Sequence, residues 1–142
     1  MAAIAAVVIA LILGGLATPR THAAARSLIV PVSVDEAWRA VRDSADHGTI
    51  SFGVTEEDAP RRLVADRLDD SQQPDGTWTW ILEPEGTGTR VTITQRASVE
   101  NPIARFLATY TGHTRQVDGY LRTLGSELGA LPQSIAAARP SD

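Results

Sequence analysis

The stretch Gly76 to Pro102, GTWTWILEPEGTGTRVTITQRASVENP, limits the fold more than any other part of the chain. Side chains of a strand point alternately to its two faces, so residues i, i+2 and i+4 share one face. From Trp78 to Glu83 this puts Trp78, Trp80 and Leu82 together; from Thr89 to Val99 it puts Val91, Ile93, Gln95, Ala97 and Val99 together, with Thr92, Thr94 and Arg96 opposite. The glycine-containing PEGTG joins the two runs as a hairpin. Asn101 and Pro102 then give a helix start, an N-cap followed by proline at the position where a missing N–H costs nothing. The spacing of Ile103, Phe106, Tyr110, Val117, Leu121 and Leu124 predicts one long helix to about Leu128, ended by Gly129 and Pro132, lying across the apolar face of the hairpin. Gly112, Gly119 and Gly125 interrupt it at about 1 kcal/mol each relative to alanine, a cost that a bend or a close backbone approach can justify.

Upstream, SLIVPV from Ser27 to Val32 reads as a strand, with Pro31 making it an edge or terminal one. Ser33 and Glu36 have capping-box spacing, and Val34, Ala37, Trp38 and Val41 share a helical face, so a short helix is predicted from Val34 to about Asp43 with Trp38 as its core anchor. Ser44 to Ile50 is polar and turn-like. Strands follow at Phe52 to Glu57 and Arg62 to Leu68, divided by Asp58, Ala59 and Pro60. The acidic run DDSQQPDG, Asp69 to Gly76, lacks the ligand spacing of a calcium loop and reads as a solvated hairpin tip.

The segment Ala2 to Thr18, AAIAAVVIALILGGLAT, carries no charge. At about 1.5 Å per residue, a helix there would span most of a hydrocarbon core of about 30 Å. No basic residue precedes it, which favours a retained anchor over a cleaved signal peptide, although Ala23 to Ala25 offers a cleavage site for the secreted alternative. Arg20, His22 and Arg26 follow it, so the positive-inside rule places the globular part in the cytoplasm of a single-pass membrane protein. The expected organisation is a transmembrane anchor at 1–19, a basic linker at 20–26, one globular domain at 27–129 and a flexible tail at 130–142.

Composition excludes several chemistries. The 142 residues suit one domain, and a net charge of -4 without a basic stripe excludes a nucleic-acid footprint. All 13 positive side chains are arginine, so no Schiff base can form on lysine. Absence of cysteine removes disulfides, thiolate catalysis and thiolate metal sites while leaving the compartment open. His22, His47 and His113 have no metal-ligand spacing, and no phosphate-binding or nucleophile motif is present, so no metal or cofactor is expected.

The element order, with the strings APRRLVADR, GTWTWILEPEGTGTRVTIT and VENPIARFLATYTGHTRQVDGYLRTLGSELG, resembles the START-like superfamily, also called SRPBCC or Bet v 1-like. Within it the likeness is to the bacterial polyketide cyclase/dehydrase and lipid-transport group, over roughly Ser27 to Gly129. The resemblance implies an α+β helix-grip fold, an antiparallel sheet wrapped on a long C-terminal helix with an apolar cavity between them. It also implies a hydrophobic ligand such as a lipid or polyketide and, in some members, cyclisation or dehydration. Similar bacterial proteins carry an N-terminal membrane segment and a basic, histidine-containing linker like PRTHAAAR. Members of the group have a further helix and one or two strands before the strand at Phe52. Their lack here predicts a sheet shorter by about a hairpin, with the cavity open on that side, closed by the helix, or covered by a partner, self-association included.

On the predicted inner face, Trp78, Trp80, Ile93, Gln95, Phe106, Tyr110 and His113 are the candidate cavity wall. Trp78 and Trp80 read as core first and cavity wall second. Tyr110 and His113, three residues apart on one helical face, are the one conceivable proton-transfer pair, but no catalytic set carries over from the resemblance. Three functions stay open: a membrane-tethered ligand-binding domain, a cyclase or dehydratase, and an interaction module without a cavity.

Overall fold

The computed structural model describes residues 21–98, 115–130 and 134–141. The elements are β1 (Thr21–Val30), α1 (Val34–His47), β2 (Phe52–Asp58), β3 (Arg62–Leu68), β4 (Pro74–Glu85), β5 (Gly88–Ser98), α2 (Arg115–Leu128) and β6 (Ala136–Ala137). The strands form one antiparallel sheet in the order β2-β3-β4-β5-β1-β6, so the fold is α+β and consistent with a helix grip. The apolar segment Ala2 to Thr18, the Asn101–Pro102 helix start, and Phe106, Tyr110 and His113 lie outside the described residues. Among the described residues no helix is long and apolar enough to cross a membrane.

The register confirms the alternation. Trp78 lies opposite Gln95, Trp80 opposite Ile93 and Leu82 opposite Val91, while β3 sets Leu63 beside Trp80 and Ala65 beside Trp78. These apolar side chains form the core with Leu28, Trp38 and Val41 and with Val117, Leu121 and Leu124 of α2. Trp38 docks α1, as its helical position predicts. Ser33 caps that helix, its hydroxyl accepting from the Glu36 N–H.

Four boundaries differ from the sequence expectation. The linker expected at 20–26 is strand from Thr21 onward, paired residue by residue with β5. Alanine-rich THAAAR has little apolar contrast, so nothing in its pattern reports the backbone ladder that holds it. β1 is an inner strand, and Pro31 falls just past its end. α1 runs four residues beyond Asp43, because Ala45 is buried and supplies another apolar contact on the helix face. The tail expected to be flexible returns to the sheet: Ala136 and Ala137 pair with Ser27 and Arg26, the Ala138 N–H donates to Ala25 C=O at 3.1 Å, and the Ser141 N–H donates to Thr94 Oγ1 at 2.9 Å. Main-chain hydrogen bonds of this kind leave no trace in hydrophobic periodicity.

α2 is fixed against β1 by packing and by charge. A Cβ on Gly125 would stand 2.9 Å from Leu28 Cδ2, so glycine there permits the close approach. Two turns earlier, Arg26 Nε and Asp118 Oδ1 lie 3.0 Å apart and Arg26 Nη2 donates to Asp118 Oδ2 at 3.2 Å. The helix ends at Gly129 with φ 79, and the Ala130 N–H returns to the Gly125 carbonyl at 2.8 Å, a Schellman-type ending. At the tip of the β3–β4 hairpin, Asp69 Oδ1 accepts from the N–H groups of Ser71 and Gln73, so the acidic run is a turn stabilised from within as far as Gln73, and its last residues, Pro74 to Gly76, already belong to β4. No group of metal-ligating side chains occurs among the described residues.

Candidate functional site

An open cavity of about 500 Å³ lies between the C-terminal end of α1, the short connection to β2, and α2. The helix contributes Gln116, Gly119, Tyr120, Thr123, Leu124 and Glu127, spacings that place all six on one face. Phe52, Ile50 and Leu124 give the cavity an apolar lining, while Asp43, His47 and Glu127 stand at its polar rim. It opens where the connection is short: Gly48, Thr49 and Ile50 form that wall. A second, polar hollow of about 430 Å³ adjoins it, sharing Thr49, Ile50 and Gln116. Arg67 lines that hollow and donates to Gln116 Oε1 at 2.6 Å and to Asp75.

Tyr120 joins the cavity to the core. Its ring meets Trp78 edge-on at a centroid distance of 5.6 Å and Trp80 at 6.0 Å, and Phe52 meets the same indoles at 5.1 Å each. The Tyr120 hydroxyl bonds to Ser44 Oγ. Ser44 gives its single proton to the Val41 carbonyl at 2.8 Å, so Tyr120 must be the donor in that bond. The Trp80 indole N–H approaches the Tyr120 oxygen closely enough to act on it but lacks full hydrogen-bond geometry, so the ring contact is the firmer description.

Burial pushes the Tyr120 hydroxyl up to about 12, and the hydrogen bond with Ser44 only partly opposes that rise. The ring keeps one edge at the cavity while the hydroxyl is enclosed between the helices. Tyr120 therefore stays a neutral phenol in the physiological range and serves as a donor or acceptor, not as a base. The unfolded state ionises near 10 and the folded state near 12, so stability contributed by the neutral phenol is intact below pH 10 and falls as pH rises from 10 to 12. The expected loss is about 2 kcal/mol, read by denaturant unfolding at several pH values. Tyr120→Phe should flatten that dependence.

Of the residues singled out in the sequence, Trp78, Trp80 and Ile93 are each 0% exposed and Gln95 is 9% exposed. They form the packed layer behind the cavity, and Tyr120 and Phe52 are the aromatic rings that reach its surface. Asp43 and His47 are exposed on α1, with His47 Nδ1 3.3 Å from Asp43 Oδ1. Tyr120, Gly119 and Ser44 were not singled out as site residues. The signal for Gly119 and Tyr120 was the helix face 116, 119, 120, 123, 124 and 127, which runs beside the more obvious face of Val117, Leu121 and Leu124; Ser44, in a stretch that reads as a turn, gave none.

Comparison with known proteins adds family and fold. The sequence pattern of the family described as Activator of Hsp90 ATPase homolog 1-like protein matches residues 23–125. No curated protein matches by sequence. Among solved structures, protein Ms6760 from Mycobacterium smegmatis is similar at 12% identity and TM-score 0.55, covering 75% of this chain and 90% of that one. The Aha1 dimer from Colwellia psychrerythraea is similar at 13% and 0.54, covering 75% and 96%. Protein Mll3558 from Rhizobium loti is similar at 19% and 0.55, covering 76% and 97%. At such identities the likeness concerns the fold alone.

Proposed function

The chain belongs to the Activator of Hsp90 ATPase homolog 1-like family, and on that premise we propose that it is a binding domain for a small, largely apolar molecule, lipid or polyketide-like. The observation that carries this reading is the cavity of about 500 Å³ between α1 and α2, with Phe52, Ile50, Leu124 and the Tyr120 ring at its apolar side. Its volume is that of an ordinary small-ligand site, and a few polar groups at the rim suffice to orient a ligand. In this reading the apolar segment Ala2 to Thr18 anchors the chain in a membrane, with the domain on the cytoplasmic side and the cavity near a source of apolar molecules.

One feature favours binding over a self-pairing interaction module. An interaction module built on the sheet edge needs an edge that pairs. β2 instead exposes the charged residues Glu56, Glu57 and Asp58, the first two paired with Arg62 and Arg42, and charge along an edge opposes its pairing with another strand.

The test is native mass spectrometry of the protein as purified, followed by solvent extraction and identification of what is released. A defined apolar species at near one per chain is expected. Protein of bare mass, with no binding of alkyl probes added afterwards, overturns the proposal.

A further inference from the structure

Among the enclosed polar atoms without a hydrogen-bond partner on the inner face of the sheet, which include the Trp80 indole N–H beside Tyr120, two directly oppose each other. The Trp78 indole N–H is a donor and the Gln95 side-chain oxygen an acceptor; both atoms are enclosed and neither has a hydrogen-bond partner. The residues are 0% and 9% exposed. The large majority of buried side-chain polar atoms are paired in folded proteins, so two orphans side by side ask for an explanation. They are also directly opposed in the ladder between β4 and β5, where facing side chains have Cβ atoms about 4.5–5.5 Å apart. Despite that proximity, they do not bond to each other.

We propose that Trp78 and Gln95 form a polar end-site for a hydroxyl group of the ligand, reached from the cavity past Tyr120. This rests on the ligand-binding reading above and names the chemistry of the ligand. A hydroxyl is the neutral group that accepts and donates through a single oxygen: it takes the indole N–H of Trp78 and gives its own proton to the Gln95 carbonyl. A carboxylate or ammonium does not suit the place, since burying an unpaired charge is costly and the Arg26–Asp118 pair that ties α2 to β1 is already matched. Tyr120 touches the Trp78 ring and also lines the cavity, so it is the side chain that stands between the cavity and the end-site. The ligand class is an amphiphilic alcohol or phenol: an apolar body between the helices and one hydroxyl at the sheet.

The experiment is a titration of 15N-labelled protein with 1-octanol and with methyl octyl ether, which accepts hydrogen bonds but donates none. Indole N–H signals are assigned with Trp38→Phe and Trp78→Phe. The alcohol should bind about fivefold to tenfold more tightly than the ether, the worth of one buried hydrogen bond. It should also move the Trp78 indole signal downfield. In Gln95→Leu the preference for the alcohol should vanish while the ether binds as before. Equal binding of both probes to the unaltered protein, with signals from cavity residues moving and that of Trp78 stationary, overturns the end-site and leaves the cavity reading intact. Binding of neither probe overturns both.

Discussion

Trp80→Ala is expected to destabilise the protein by about 3–5 kcal/mol, the range for removing a large aromatic side chain from a packed core. Trp80 is 0% exposed, lies between Leu63 of β3 and Ile93 of β5, and touches three other aromatic rings. No single neighbour can collapse into the space its indole leaves, because the strands hold Leu63 and Ile93 in register and α2 is tied to β1 through Arg26 and Asp118. Domains of this size are stable by about 5–15 kcal/mol, so such a loss brings the variant close to unfolding at ordinary temperature. Denaturant unfolding followed by circular dichroism measures it. A loss under about 1 kcal/mol would mean that the indole is a cavity wall with slack around it rather than a core element.

Gly119→Trp is expected to abolish binding in the cavity, weakening it at least about a hundredfold, while leaving the fold intact. Gly119 lines the cavity on α2, and a Cβ placed there meets nothing within 4 Å. An indole therefore grows into the space the ligand needs without striking the core. Glycine in a helix interior costs about 1 kcal/mol relative to alanine, so Gly119→Ala should raise stability by that amount and narrow the cavity only slightly. Alkyl-probe titration and thermal melts of both variants separate the two effects. Undiminished binding by Gly119→Trp would move the ligand out of this cavity. Gly125, one and a half turns along, is the contrasting position: its missing Cβ makes room for Leu28, and enlarging it disturbs packing.

The comparison of these two glycines shows where the sequence stops. Both cost the same helix propensity and look alike in the string TRQVDGYLRTLGSELG, yet one makes room for a cavity and the other for a strand. The strands were legible for a different reason. In the hairpin from Trp78 onward the large apolar side chains Trp78, Trp80, Leu82, Val91 and Ile93 lie on one face, and that placement writes a period of two into the residues. β1 from Thr21 and the returning tail are held by backbone hydrogen bonds among alanines and serines, which write no such period. Likewise Tyr120 and Ser44 meet across two helices seventy-six positions apart, and no local pattern announces a contact of that range.

The sequence alone determined the hairpin in GTWTWILEPEGTGTRVTIT and the face on which Trp78 and Trp80 lie, because side-chain alternation is a local geometric property, and its resemblance to a known superfamily implied the α+β class. It also excluded lysine and cysteine chemistry by composition. Only the tertiary structure decided that these indoles are packed core, that Tyr120 and Phe52 are the rings at the cavity, and that Trp78 and Gln95 are left facing each other unbonded. Those outcomes depend on how closely α2 approaches the sheet, which is set by Gly125 against Leu28 and by Asp118 on Arg26, contacts between segments far apart in the chain.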